Sequence, residues 1–283
     1  NTDLPPDLCQ GGVPLQREVL AELVADLLIE QGISSVSVEL ELLLPLPICD
    51  WRLLEGAAGL GDATSLRALA PEMTWPLQWQ ESYVALTALN DRDMAIVVGA
   101  DRLILQAWID TVASADLNLC QAEWLLVAAW RALQALNASL EGEWVWLIES
   151  EGIWRLVLLR EGLPELDVAL KATQLPSVRD EVLFLLDAWD QTQRQIGVRR
   201  SWWITAGPSW RGRWQEGHGA GLHGPLVSDG EMSLLQLALK APPAESKPRG
   251  SVQQRPLLCS GSRPPSCASP PSPSRPSPPA SST

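Results

Sequence analysis

Across 283 residues the formal net charge is −13, and it is unevenly spread. Residues 241–283 hold 12 Pro and 11 Ser and carry +4, so residues 1–240 carry −17. A body that acidic repels phosphate backbones and anionic lipid head groups, which argues against nucleic acid or a bilayer surface as a direct partner.

The Pro/Ser tail has too few apolar residues to offset its ordering entropy, so it is expected to be disordered. The folded part is then about residues 1–240, enough for one large domain or two lobes. Five cysteines (Cys9, Cys49, Cys120, Cys259, Cys267) make an odd count without CxxC or zinc spacing, which fits a reduced, cytosolic compartment. No apolar run reaches the ~20 residues that span a bilayer; the strongest, 42–48, is broken by Pro45 and Pro47. The chain opens on Asn1 rather than Met, and a segment upstream is expected to be missing. Fourteen Trp against one Tyr and one Phe reads as coding bias, with most tryptophans filling the core.

In chain order, residues 14–31 predict a helix, with Leu15, Val19, Leu20, Leu23, Val24, Leu27 and Leu28 on one stripe and Gly32 ending it. Residues 35–44 alternate as a strand, and 49–54 form a second. A short helix is expected over about 62–69, then irregular chain around Trp75-Pro76. Residues 82–89 and 94–99 predict a strand pair joined by Asn90-Asp91-Arg92-Asp93. Asp101 opens a helix to about 116, 117–123 form a strand, and 125–136 form a strongly apolar helix.

Residues 143–159 read as two half-buried strands folded about the acidic turn Glu149-Ser150-Glu151-Gly152. A helix over 178–196, a strand over 201–206 and a last helix over 232–239 complete the list. Helices alternating with strands imply α/β layers.

The residues that could carry chemistry are few. His218 and His223, the only histidines, sit in a glycine-rich loop without further metal-ligating partners on rigid elements, so a loop is the better reading. The run Gly217-His218-Gly219-Ala220-Gly221 lacks a P-loop lysine and a preceding strand. Ser201, Ser209 and Ser228 have no elbow motif or His–Asp partners. No catalytic residue and no metal site is expected.

Four stretches together resemble the PilM family of type IV pilus assembly, whose relatives include FtsA and the cytoplasmic part of GspL. They are Leu4-Pro5 with Gly11-Gly12-Val13; Leu44-Pro45 with Cys49-Asp50-Trp51-Arg52; residues 65–81 with Pro76 and Glu81; and Met94 through Leu103 continued by Trp108-Ile109-Asp110, Ala115-Asp116-Leu117 and 123–133. They span about residues 1–210.

The resemblance implies an actin-like (ribonuclease H-like) two-lobed α/β fold, incomplete at the N-terminus. Residues 1–140 would form the first lobe, with about 48–100 as a small inserted subdomain, and 141–240 the second. It also places residues 144–159 where the family has its second phosphate-binding hairpin, and makes Glu149, Ser150, Gly152 and Gly207 a degenerate nucleotide site. Glu149 stands where that family has an Asp. Glu151 adds a second carboxylate, Trp154 occupies the approximate place of a hydroxyl residue, and Pro208 removes a backbone donor after Gly207. The first phosphate loop would lie before Asn1.

The expectation is therefore a cytoplasmic scaffold without a cofactor. It would be held at the inner membrane by docking the N-terminal peptide of a PilN-like membrane protein, alongside other pilus assembly proteins. The alternative is an actin-like protein that binds or hydrolyses ATP with Mg²⁺.

Overall fold

A computed structural model describes residues 4–5, 7–35, 38–55, 66, 81–89, 93–136, 141–150, 152–194, 198–206 and 233–242. The expected helix over 62–69 (apart from Leu66), residues 90–92 of the expected 90–93 turn, the histidine loop and the Pro/Ser tail after Pro242 lie outside them.

The first segment is a small ladder, β1 (Cys9–Gln10) with β2 (Val13–Pro14), leading into helix α1 (Arg17–Glu30). The helix starts three residues later than expected, because Pro14 is held in the ladder opposite Cys9. Leu20 and Ala21 are buried, but Leu15 and Val19 are exposed, so the apolar stripe covers less than its sequence suggests. The end is as expected: Gly32 takes φ +67, its N–H bonds the Ile29 carbonyl, and Ile33 N–H reaches back to Leu28. That pair of bonds is the Schellman motif, which needs a residue tolerant of the left-handed region.

Strand β3 (Glu39–Leu44) pairs in parallel with β7 (Asn118–Trp124), separated from it in sequence by a three-stranded antiparallel sheet. A single 3₁₀ turn, Leu46–Ile48, leads into that sheet. Its strands are β4 (Cys49–Glu55), β5 (Ser82–Leu89) and β6 (Met94–Asp101), in the order β4-β6-β5. Gly12 lies against the end of β3, and a Cβ there would sit 2.2 Å from Pro45 Cγ, so this approach admits only glycine. Helix α2 (Arg102–Ser114) begins where expected. The Asp101 carboxylate accepts from the N–H groups of Leu103 at 2.8 Å and Ile104 at 3.1 Å, satisfying two donors of the first turn. Helix α3 occupies Leu125–Leu136.

The largest sheet has the order β10-β9-β8-β11, from β8 (Glu143–Ser150), β9 (Ile153–Arg160), β10 (Leu163–Ala169) and β11 (Arg200–Thr205). Strand β10 has no counterpart among the expected strands. It pairs antiparallel with β9 across a register shift between Pro164 and Leu166. Helix α4 (Leu175–Gln193) crosses from β10 to β11, so β11 returns parallel to β8. The helix begins at Leu175, with Pro176 in its first turn where no N–H is needed, and it ends at Arg194 in the left-handed region. A short helix, α5 (Leu234–Ala238), carries a capping box between Ser233 and Gln236.

The central strands are not half-buried. Trp144, Val145, Trp146, Leu147 and Ile148 are all buried, because both faces of the sheet are covered. Val145, Leu147, Leu156, Leu158, Trp202 and Ile204 face α4 through Val178, Val182 and Leu186. On the opposite face, Trp144, Trp146, Ile148, Val157, Leu159 and Trp203 join a core that includes α3, α5 and Trp51 of β4. Continuous apolar strands are what a doubly covered sheet requires. Eight of the ten tryptophans among the described residues are buried, as core filling predicts. Among the described residues no helix is long and apolar enough to cross a membrane.

Candidate functional site

The register of β8 and β9 runs from Glu143↔Arg160 to Ser150↔Ile153. Ser150 is thus already paired with Ile153, which makes the turn tighter than the four residues expected from the sequence; Glu151 lies outside the described residues. Gly152 takes φ +78, and glycine is the residue that enters two-residue hairpin turns without strain. Its N–H donates to Glu149 Oε1 at 2.9 Å. The one backbone donor of the turn that is described thus already has an anion, supplied by the chain itself.

Glu149, Ser150 and Gly152 come together at one edge of the sheet. Because β11 is parallel to β8, with Thr205 opposite Ile148, its C-terminal end emerges at that same edge. Gly207 lies outside the described residues. Thr205, which carries no local motif, is buried there, and its Oγ1 accepts from Trp146 Nε1 at 2.8 Å. Trp154 turns into the core against α4 rather than toward the edge. Its carbonyl accepts from Leu170 N–H at 2.8 Å.

Arg155, opposite Ile148, is the cation nearest the tip on β9, and its guanidinium is held by a carboxylate of β10. Its Nε and Nη2 form a bidentate pair with Asp167 at 2.5 and 2.6 Å, and its guanidinium lies 5.3 Å from the Trp124 ring centroid. A bidentate carboxylate pair is the strong form of this contact, and it fixes the Arg155 guanidinium toward β10. Neither Arg155 nor Asp167 was singled out in the sequence. The signal was an Asp placed between apolar residues of an unrecognised strand.

At the end of β7, Glu123 accepts from Arg131 Nη2 at 2.6 Å. Burial nevertheless raises its carboxyl above the ordinary value of 4.5, with Arg131 opposing the shift and Glu41 adding to it. For a group raised in the folded state, its stabilising contribution is full below the unfolded value and is lost as pH rises through the folded one. Glu123→Gln keeps an acceptor for Arg131 and removes that loss. We expect the variant to melt above the parent at neutral pH, with the gap closing at acid pH below the ordinary carboxylate value. A variant that melts lower at neutral pH would show instead that the ion pair outweighs burial.

Cys9, Cys49 and Cys120 form no disulfide, and burial, with Asp50 beside it, pushes the Cys49 thiol far above its usual range. Among the described residues no group of three His, Cys, Asp or Glu side chains is placed to hold a metal ion.

No protein-family model matches the sequence, and no curated protein matches it. Solved structures do. One is a chain of a PilM–PilN type IV pilus biogenesis complex, at TM-score 0.52 and 14% identity, with 74% of each chain covered. Another is a protein of unknown function with an actin-like ATPase fold from Bacteroides thetaiotaomicron, at TM-score 0.51 and 10% identity, covering 78% of this chain and 80% of that one. A weaker likeness, at TM-score 0.43 and 14% identity, is to the cytoplasmic domain of EpsL, an inner-membrane component of the Vibrio cholerae type II secretion system, covering 80% and 79%. The β10-β9-β8-β11 sheet with its crossover helix, and the likeness of about three quarters of the chain to two solved structures, identify the architecture: this chain has the actin-like ATPase fold.

Proposed function

We propose that the chain is a scaffold of a type IV pilus-like assembly machine. It docks a short N-terminal peptide of a PilN-like inner-membrane protein and does not work by binding nucleotide. The pilus half of the reading is supported by the likeness to a chain of the PilM–PilN complex. The nucleotide half is carried by one observation: the Glu149 carboxylate sits on the Gly152 N–H, where a phosphate oxygen would have to bind. An incoming phosphate would have to displace that carboxylate from the N–H, and at this exposed turn it would also meet a repulsion of about 1 kcal/mol at 4 Å in water. A scaffold needs apolar pockets and backbone contacts rather than catalytic groups. Its place would be the cytoplasmic face of the inner membrane, reached through the partner.

The test is a titration of this chain with a fluorescent peptide made from the N-terminal segment of a PilN-like protein of the same organism. Saturable anisotropy, abolished by unlabelled peptide, is expected. No binding by a chain shown to be folded would overturn the docking claim.

The alternative is a protein that binds or hydrolyses ATP. The observation in its favour is that Glu149, Ser150, Gly152 and the end of β11 share one sheet edge.

A further inference from the structure

We propose that the Asp167 carboxylate is a latch. It holds the three-stranded sheet β4-β6-β5 against the four-stranded sheet, so that the two move as one body instead of hinging about the space between them.

Asp167 stands on β10, and its Oδ2 accepts from Trp51 Nε1 of β4 at 2.6 Å. The same carboxylate receives the two donors of Arg155 on β9. The side chains of Arg155 and Asp167 are only 14% and 10% exposed, and Trp51 is 3% exposed, so these bonds work away from water. Trp51 packs edge-to-face on Trp124 at 5.6 Å and on Trp130 at 6.0 Å between centroids. Trp130 in turn donates from Nε1 to the Gly162 carbonyl, in the turn between β9 and β10, at 2.9 Å.

Five side chains from β4, β7, β9, β10 and α3 thus converge on one point where the sheets meet. Apolar contacts alone can slide. Arg155 and Asp167 both belong to the four-stranded sheet and stay paired, so parting the sheets strips the buried carboxylate and the buried Trp51 N–H of their mutual bond, a directional loss that sliding apolar contacts do not carry. The inference deepens the scaffold reading, for which a fixed joint is the suitable mechanical property.

The experiment measures a distance across the joint. Exposed Thr87 on β5 and Ala188 on α4 are replaced by cysteine in the full chain with its native cysteines changed to serine, and both sites are spin-labelled. Double electron–electron resonance should give one narrow distance in the parent, the same with or without ATP and Mg²⁺. Asp167→Ala should broaden it or add a second distance. Trp51→Phe keeps a ring and loses only the indole donor; it provides the same test if Asp167→Ala does not fold, and it should broaden the peak less. A broad or two-peaked parent, or a folded variant with an unchanged peak, would overturn the latch. Peptide binding, read separately by anisotropy, shows whether the scaffold reading stands or falls with it.

Discussion

Arg200→Met is expected to lower the free energy of unfolding by about 3 kcal/mol, the lower end of the range of roughly 3–5 kcal/mol for breaking a buried ion pair from one side. Arg200 opens β11 and its side chain is only 8% exposed, between Glu143 at 9% and Asp190 at 21%. Its Nε donates to Glu143 Oε2 at 2.9 Å and Nη1 to Asp190 Oδ2 at 2.9 Å, while Nη2 reaches Asp190 Oδ1. Glu143 has a second cation, since Arg160 donates to its Oε1 from Nε at 3.1 Å and Nη2 at 2.9 Å. Asp190 loses its Arg200 pair but keeps a path to water. These two facts place the estimate at the low end. The check is urea unfolding of Arg200→Met beside Arg200→Met/Asp190→Leu. Recovery of part of the loss in the double variant is expected, because the penalty belongs to the stranded carboxylate. A single variant as stable as the parent would mean that the network is solvated.

Trp146→Ala is expected to cost about 3–5 kcal/mol. Trp146 is wholly buried, lies opposite Val157 of β9 and Trp203 of β11, and faces the core shared with α3 and α5. Removing the indole opens a cavity in the middle of the sheet and takes the donor from Thr205 Oγ1. Trp146→Phe separates the two effects, since it keeps most of the volume and loses only the N–H. Against a typical total of roughly 5–15 kcal/mol, the alanine variant should melt far below the parent. A loss under about 1 kcal/mol would contradict close packing at this position.

The sequence made some of this visible. The apolar run of α3 and the Asp101 cap announced themselves, since each depends on residues within a few positions of one another. The strands β8 and β9 were legible, but their burial was not read correctly. Alternating Trp144, Trp146 and Ile148 looked like one covered face, whereas Val145 and Leu147 between them already signalled two. Strand β10 was hidden by Pro164 and by Glu165 and Asp167, charges that look like solvent-facing loop until their partners are known. Those partners, Arg160 and Arg155, lie across the sheet.

The candidate site divides the same way. Glu149, Ser150 and Gly152 fall within four positions of one another, so their place at one turn was legible in the sequence. The hydrogen bond that occupies the turn depends on its two-residue length, which only the register fixes. The Trp51–Asp167 bond spans 116 residues and has no local signature.

The most direct test of the account is a melting curve of the full chain with and without ATP and Mg²⁺. An occupied site at ~100 Kd would add roughly 2.7 kcal/mol to the unfolding free energy. The account predicts superimposable curves at every nucleotide concentration. A saturable rise in melting temperature that needs both ATP and Mg²⁺ would contradict it.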